Sequence, residues 1–167
     1  MNSPLSNFPP QAGERAIVKS IRQSQHWAEN YIGLPWESGA QGPQAFDCWA
    51  LVRHVQREHY GRDLPSINVD ADDLAAVHQA FAAHPERARW TLVVAPHDGD
   101  CVLVRKGNQL DHVGIYLDID GGRVLHSIRG SGVVCTALQV LKRLGWSPVE
   151  FYRFNPHPNL LPEKGKE

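Results

Sequence analysis

Apolar residues recur every three or four positions in some stretches of this chain and in short, nearly continuous runs in others, which separates candidate helices from candidate strands. From Glu14 to Ile32, the residues Ile17, Ile21, Ala28 and Ile32 stand near helical spacing, and Trp27 and Tyr31 add aromatic area to that face. A second helix is predicted from Cys48, with Leu51, Val52 and Val55 on its apolar face and Arg53, Gln56 and Arg57 on a wet one. Asp47 suits its N-cap, Gly61 suits its C-cap, and Leu64-Pro65 limits any continuation. Leu74, Val77 and Phe81 predict a third helical stretch over 70–84, with Asp72 and Asp73 near its positive end. Strands are predicted over 99–105, 111–117 and 123–127, joined by turns at 106–108 and 118–122 whose Gly, Asn and Asp residues tolerate positive φ. A late helix over 136–144 and a last strand over 149–154 complete the pattern.

Helices first and strands afterwards imply an α+β domain in which the cysteine helix packs on a central antiparallel sheet. With 167 residues, 42% of them hydrophobic, the chain has enough material for one core and little for two. Residues 1–13, with Pro4, Pro9 and Pro10, read as a loose arm, 14–155 as a single domain, and 156–167 as a polar tail. A net charge of −1 leaves no basic footprint for nucleic acid. No run is long enough to cross a bilayer, so no membrane insertion is expected. The start has neither a basic nor an apolar leader segment, so synthesis and retention in the cytoplasm are expected unless the protein is carried out.

Candidate chemistry centres on Cys48, which stands where a Gly/Pro-rich loop gives way to a helix. Unpaired N–H groups and the positive end of the macrodipole favour an anion there, and such a site is expected to lower a thiol's pKa. The competing reading is a small buried apolar residue. His112 opens the second predicted strand and His126 closes the third, so an antiparallel hairpin would bring the two imidazoles within reach of each other. A thiol, a base and a group that orients the base form a nucleophilic triad, here in the order Cys, His, His. His54 and His59 read as surface or helix-end residues, Asp111 as a turn or edge charge, and His78, His84 and His97 show no partner pattern. The nine histidines are not matched by Cys-x-x-Cys or His-Glu-x-x-His, and Cys48, Cys101 and Cys135 are scattered. No metal or other cofactor is expected, and the cysteines are expected to be free thiols.

Tyr31-Ile32-Gly33-Leu34-Pro35-Trp36, Phe46-Asp47-Cys48, Gly99-Asp100, His112-Val113-Gly114-Ile115-Tyr116 and Leu125-His126-Ser127 together resemble an NlpC-type cell-wall cysteine peptidase, a papain-like fold. The resemblance covers about residues 15–155, with the blocks in the family's order and spacing. It implies that Cys48 is the nucleophile, His112 the base and His126 the residue that orients the base. It further implies a peptidoglycan stem peptide as substrate, commonly cut between D-glutamate and the diamino acid. Tyr31, Trp36, Asp47 and Trp49 become candidate substrate-binding residues, and Tyr31, Trp36 and Trp49 each also have a packing reading. The family's commonest Asp-Cys-Ser-Gly block is here Asp47-Cys48-Trp49-Ala50. That departure, with Leu34-Pro35-Trp36 and 149–153, resembles the subgroup encoded by tailed phages and prophages, which implies tail-tip proteins as partners. Two rivals stay open: a silent structural tail component, and a related deamidase or acyltransferase-type effector.

Overall fold

The computed structural model describes residues 26–66, 76, 88–107 and 109–156. The predicted arm, residues 14–25 of the first helix, the stretch over 70–84 apart from Ala76, and the tail from 157 lie outside the described residues; Ala76 is helical. The chain divides into two units between Asn30 and Tyr31. In the first, Trp27–Asn30 form a single 3-10 turn in which Ala28 is buried and its N–H meets Nδ1 of His26 at 3.2 Å. The helix predicted to reach Ile32 does not do so, because Tyr31 to Gly33 form a turn that closes at Gly33 with φ 89° and leaves Ile32 exposed.

The second unit is built on helix α1 (Cys48–Tyr60) and a six-stranded sheet. α1 begins and ends where its capping residues dictate. Asp47 accepts from the Ala50 N–H at 2.6 Å, and Gly61 adopts the left-handed conformation, φ 63°, that favours glycine after a helix. Leu51, Val52 and Val55 are buried as their spacing requires, but Gln56 is buried too, contrary to its predicted place on the wet face. Its amide is satisfied by donating to the Gly99 carbonyl at 2.8 Å, which is what allows a polar side chain into a core.

The strands are β1 (Trp90–Val93), β2 (Cys101–Lys106), β3 (Gln109–Leu117), β4 (Arg123–Ile128), β5 (Gly132–Ala137) and β6 (Val149–Phe154). They lie in the order β1-β6-β2-β3-β4-β5, every pair antiparallel. β2, β3, β4 and β6 match the predicted strands closely. The late helix is shorter than predicted: residues up to Ala137 belong to β5, and α2 runs only from Leu138 to Arg143.

Strand alternation gives the sheet two faces. On one, Val102, Val104, Tyr116 and Val124 form a core with Leu141 of α2, covered by Leu138, Trp146, Val149 and Phe151. On the other, Cys101, Ile115 and Leu125 stand in one row, and α1 packs there: Nε2 of Gln56 lies 3.7 Å from the Cys101 sulfur. Asp100 pins the start of β2, accepting from the His97 N–H at 2.7 Å and pairing with Arg153 of β6 at 2.9 Å.

Candidate active site

Cys48 occupies the first residue of α1 and is 5% exposed. Backbone N–H groups of Cys48 and Trp49 act on its sulfur and favour the thiolate, as a helix start should. Burial outweighs them and, with the Asp47 carboxylate beside it, pushes the thiol up to about 12. The expected lowering is therefore reversed: in this state Cys48 is a protonated, buried thiol. Asp47 is itself 4% exposed and accepts from the Ala50 N–H, so it caps the helix.

His112 and His126 do come together, with ring centroids 4.9 Å apart. Neither sits at a strand end: His112 is the fourth residue of β3 and His126 the fourth of β4. Extending the β3–β4 register places Gly114 opposite His126, which makes His112 its diagonal neighbour on the same face. Gly114 makes the pairing possible, because a Cβ there would lie 3.0 Å from Cβ of His126 and 2.9 Å from the Leu125 carbonyl oxygen. Just before His112 the β2–β3 register shifts, leaving Asp111 as an extra residue in β3 rather than at a turn.

Burial holds both rings neutral, lowering His112 to about 4 and His126 to about 3, the latter with a smaller contribution from His112. Nε2 of His112 and Nδ1 of His126 are buried and have no hydrogen-bond partner among the described residues. The other nitrogen of His126 is engaged, with Nε2 2.8 Å from Oγ1 of Thr136 on β5. Trp146 covers the pair, stacked on His112 at 5.8 Å and edge-on to His126 at 5.6 Å.

The β3–β4 ladder stops at the Ile115–Leu125 pair although both strands continue. Both histidines lie in that open end, together with Ser127, whose hydroxyl donates to the Phe46 carbonyl at 2.8 Å, two residues before Cys48. The helix start and the imidazole pair thus converge on this end from the two faces of the sheet. No hydrogen bond joins the Cys48 sulfur to either ring among the described residues.

The flanking candidates are distributed around this end and beyond it. Trp36 lies under the Arg129 guanidinium at 4.7 Å, just past β4, and its loop is fixed by paired bonds of Gly33 and Leu34 with Val133. The Trp49 indole donates to the Pro65 carbonyl at 3.3 Å. The Tyr31 hydroxyl lies 2.9 Å from Nε2 of His59, eleven residues along α1 from Cys48, a rise of about 16 Å. All three cysteines are free. Among the described residues no helix is long and apolar enough to cross a membrane.

Sequence reasoning passed over Thr136, Trp146 and Ser127's bond to Phe46. The first two reach the histidines only through β5 and the α2–β6 connection, and no local pattern marks them.

Comparison with known proteins agrees with this arrangement of blocks. The NlpC/P60 family profile matches residues 33–147. The Murein DD-endopeptidase MepS/Murein LD-carboxypeptidase of Escherichia coli (strain K12) is similar, with 26% identity over 121 residues, 72% of this chain and 55% of that protein. The chain thus spans little more than half of that relative's length. The crystal structure of the NlpC/p60 domain of the peptidoglycan hydrolase SagA is similar at a TM-score of 0.49 and 24% identity, covering 74% of this chain and 91% of the other. The matched stretch holds Cys48, both histidines and most of the sheet, and it exceeds half of the chain: this protein belongs to the NlpC/P60 family.

Proposed function

We propose that this protein is a cysteine peptidase that hydrolyses peptidoglycan stem peptides, at the bond between D-glutamate and the diamino acid, through Cys48, His112 and His126. The observation that carries the reading is the paired, buried imidazoles at the open end of β3–β4, in a family domain whose cysteine helix is tied to that same end through Ser127. The printed name of the curated relative, a murein endopeptidase, supports the substrate class.

The resting charge states favour one of two routes. A thiol held near 12 and an imidazole held near 4 do not form an ion pair at rest. His112 therefore acts as a general base, taking the Cys48 proton as the sulfur adds to the carbonyl, then giving it to the leaving amine. Water hydrolyses the thioester in a second step with His112 again as base. The Cys48 backbone N–H at the helix start faces the developing oxyanion. His126 holds the His112 ring in its productive tautomer. Trp36, with Arg129 over its ring, and Trp49 flank the substrate path.

The finer setting, a phage or prophage tail that carries the enzyme to the wall, rests on the resemblance of the Asp47-Cys48-Trp49-Ala50 block and is part of the proposal. Wild type and Cys48→Ala are incubated with defined peptidoglycan and stem peptides, and the products are read by mass spectrometry. Cleavage by wild type alone names the bond. Cleavage by both removes Cys48 from the chemistry, and cleavage by neither turns the reading toward a structural tail component or an effector with another substrate. Mass spectrometry of purified particles tests the tail setting.

A further inference from the structure

We propose that Arg129, held over the Trp36 ring, is a specificity residue that binds the free carboxylate of the glutamyl residue in the bound stem peptide. The proposal rests on the cysteine-peptidase reading for its substrate, and its binding test is separable from cleavage.

Three segments meet at Phe46, two residues before the candidate nucleophile. The Phe46 N–H donates to the Pro35 carbonyl at 3.0 Å, and its carbonyl accepts from the Ser127 hydroxyl at 2.8 Å. Trp36 directly follows the first of these partners and Arg129 lies two residues past the second, so each arrives beside the cysteine segment from a different part of the chain. There the guanidinium carbon stands 4.7 Å from the centre of the indole. Both supports are tied down. Ahead of Trp36, the Gly33 N–H donates to the Val133 carbonyl and the Val133 N–H donates to the Leu34 carbonyl, each at 2.8 Å, which lays this loop along β5. A Cβ on Gly132 would collide with the Leu34 carbonyl, so glycine at φ 73° is what lets the loop approach. Arg129 opens the turn from β4 to β5, which the Ser131 N–H closes on the Ile128 carbonyl at 3.0 Å.

An exposed arginine seated on a half-buried tryptophan is chemically selective. The ring limits the rotamers of a long side chain, so less freedom is lost on binding, and a cation–π contact leaves most of a guanidinium's N–H donors at its rim. Their fork matches a carboxylate in two parallel bonds, and a charged acceptor of that shape is preferred to a neutral amide. The reacting groups supply no such charge, since the thiol is protonated and both imidazoles are neutral at rest. The bond between glutamate and the diamino acid supplies the ligand. Glutamate has two carboxyl groups and the scissile amide consumes one, so a carboxylate remains in the very residue whose carbonyl the thiol attacks.

The test compares two stem peptides that differ in one group, the glutamyl carboxylate being free in one and converted to a carboxamide in the other. With wild type, KM for the amide is expected to exceed that for the acid by about tenfold or more, with kcat within about twofold. In Arg129→Gln the acid's KM is expected to rise to the amide's, while the amide's own KM stays within about twofold. Arg129→Lys is expected to keep part of the preference, because a point charge replaces a fork. Trp36→Leu, which removes the ring and leaves the charge, is expected to fall between wild type and Arg129→Gln. The same peptides titrated calorimetrically into Cys48→Ala and Cys48→Ala/Arg129→Gln read the preference without cleavage. Equal KM and Kd for acid and amide in proteins that keep Arg129, a preference that survives Arg129→Gln, or an acid KM unchanged in Trp36→Leu overturns the proposal. An Arg129-dependent preference in binding, with no cleavage by wild type, supports the proposal and counts against the peptidase reading. Cleavage of both peptides at equal KM does the reverse, and neither binding nor cleavage of the acid peptide overturns both.

Discussion

The two halves of the candidate site are both buried and both neutral at rest, yet they are held in different ways. Cys48 is placed mainly by its neighbours in the chain: Asp47 caps the helix at 2.6 Å and the Phe46 N–H donates to the Pro35 carbonyl at 3.0 Å, with one hydroxyl from β4 reaching the Phe46 carbonyl. The imidazoles are placed by residues on three separate parts of the fold: β3, β5 and the α2–β6 connection. Gly114 makes room, Thr136 bonds one ring, and Trp146 covers both. A locally built half resists change because its hydrogen bonds form with the helix itself, whereas a half assembled from three elements depends on each of them. Substitutions on the thiol side should therefore act on chemistry or on a single cap, and those on the histidine side should act on geometry and stability together.

The largest expected effect comes from removing the sulfur. Cys48→Ala should cut turnover by roughly 10³-fold or more, with the thermal midpoint close to that of wild type, since a small buried side chain replaces another. Turnover and thermal unfolding of the purified variant check both parts. A large fall in the midpoint would mean that the thiol side is as structurally dependent as the histidine side.

Acid should strike the histidine half first. An unfolded histidine binds its proton near pH 6.5, while His112 and His126 when folded do so only near 4 and 3. Between those values the unfolded state holds more protons, so stability is full above about 6.5 and is lost as pH falls toward the folded values. Each ring contributes up to about 1.4 kcal/mol per pH unit in that window. Urea unfolding at pH 7 and 4.5, for wild type and for a His112→Asn/His126→Asn double variant, isolates this term from that of the carboxylates. Equal pH slopes in the two proteins would show that the rings are not buried neutral.

Gly114→Ala should be the next in size. The added methyl carbon meets Cγ1 of Val124 at 2.6 Å and Cβ of His126 at 3.0 Å, so β3 or the His126 ring must shift. A loss of about 1–3 kcal/mol in denaturant unfolding is expected, as for overpacking elsewhere, with activity falling alongside. Stability and rate both unchanged would break the claim that this glycine makes the pairing.

The same contrast explains what could be read from the chain. α1 was legible from Asp47 to Gly61 because caps and helical spacing are local, and β6 because Val149, Phe151, Tyr152 and Phe154 form a short β-branched and aromatic stretch. The histidine pair was legible through hairpin logic and the resemblance of its blocks. β1 escaped notice because it is four residues long, with only Trp90 buried, and its partner strand lies at the other end of the domain. Thr136 was assigned to the late helix because β5 runs into α2 without a turn residue, and so its bond to His126 went unseen. The lowered thiol pKa failed for a different reason: the helix start does act as expected, but burial and Asp47 act more strongly, and neither burial nor the balance of the two can be read from spacing.

Asp47 offers the finest test of that balance, because its two roles can be separated. Asparagine caps helices about as well as aspartate, so Asp47→Asn should keep α1 within a few tenths of a kcal/mol of wild type, while Asp47→Ala should lose about 1 kcal/mol. Both remove the negative charge that helps to hold the Cys48 proton. The thiol should therefore ionise at lower pH in both variants, yet still above an ordinary cysteine, because burial is the larger cause. Alkylation rates of Cys48 followed by peptide mass spectrometry from pH 7 to 11 measure this directly. A profile shifted down in Asp47→Ala but not in Asp47→Asn would assign the effect to loosening of the helix start, and the charge of Asp47 would then have no part in keeping the nucleophile protonated.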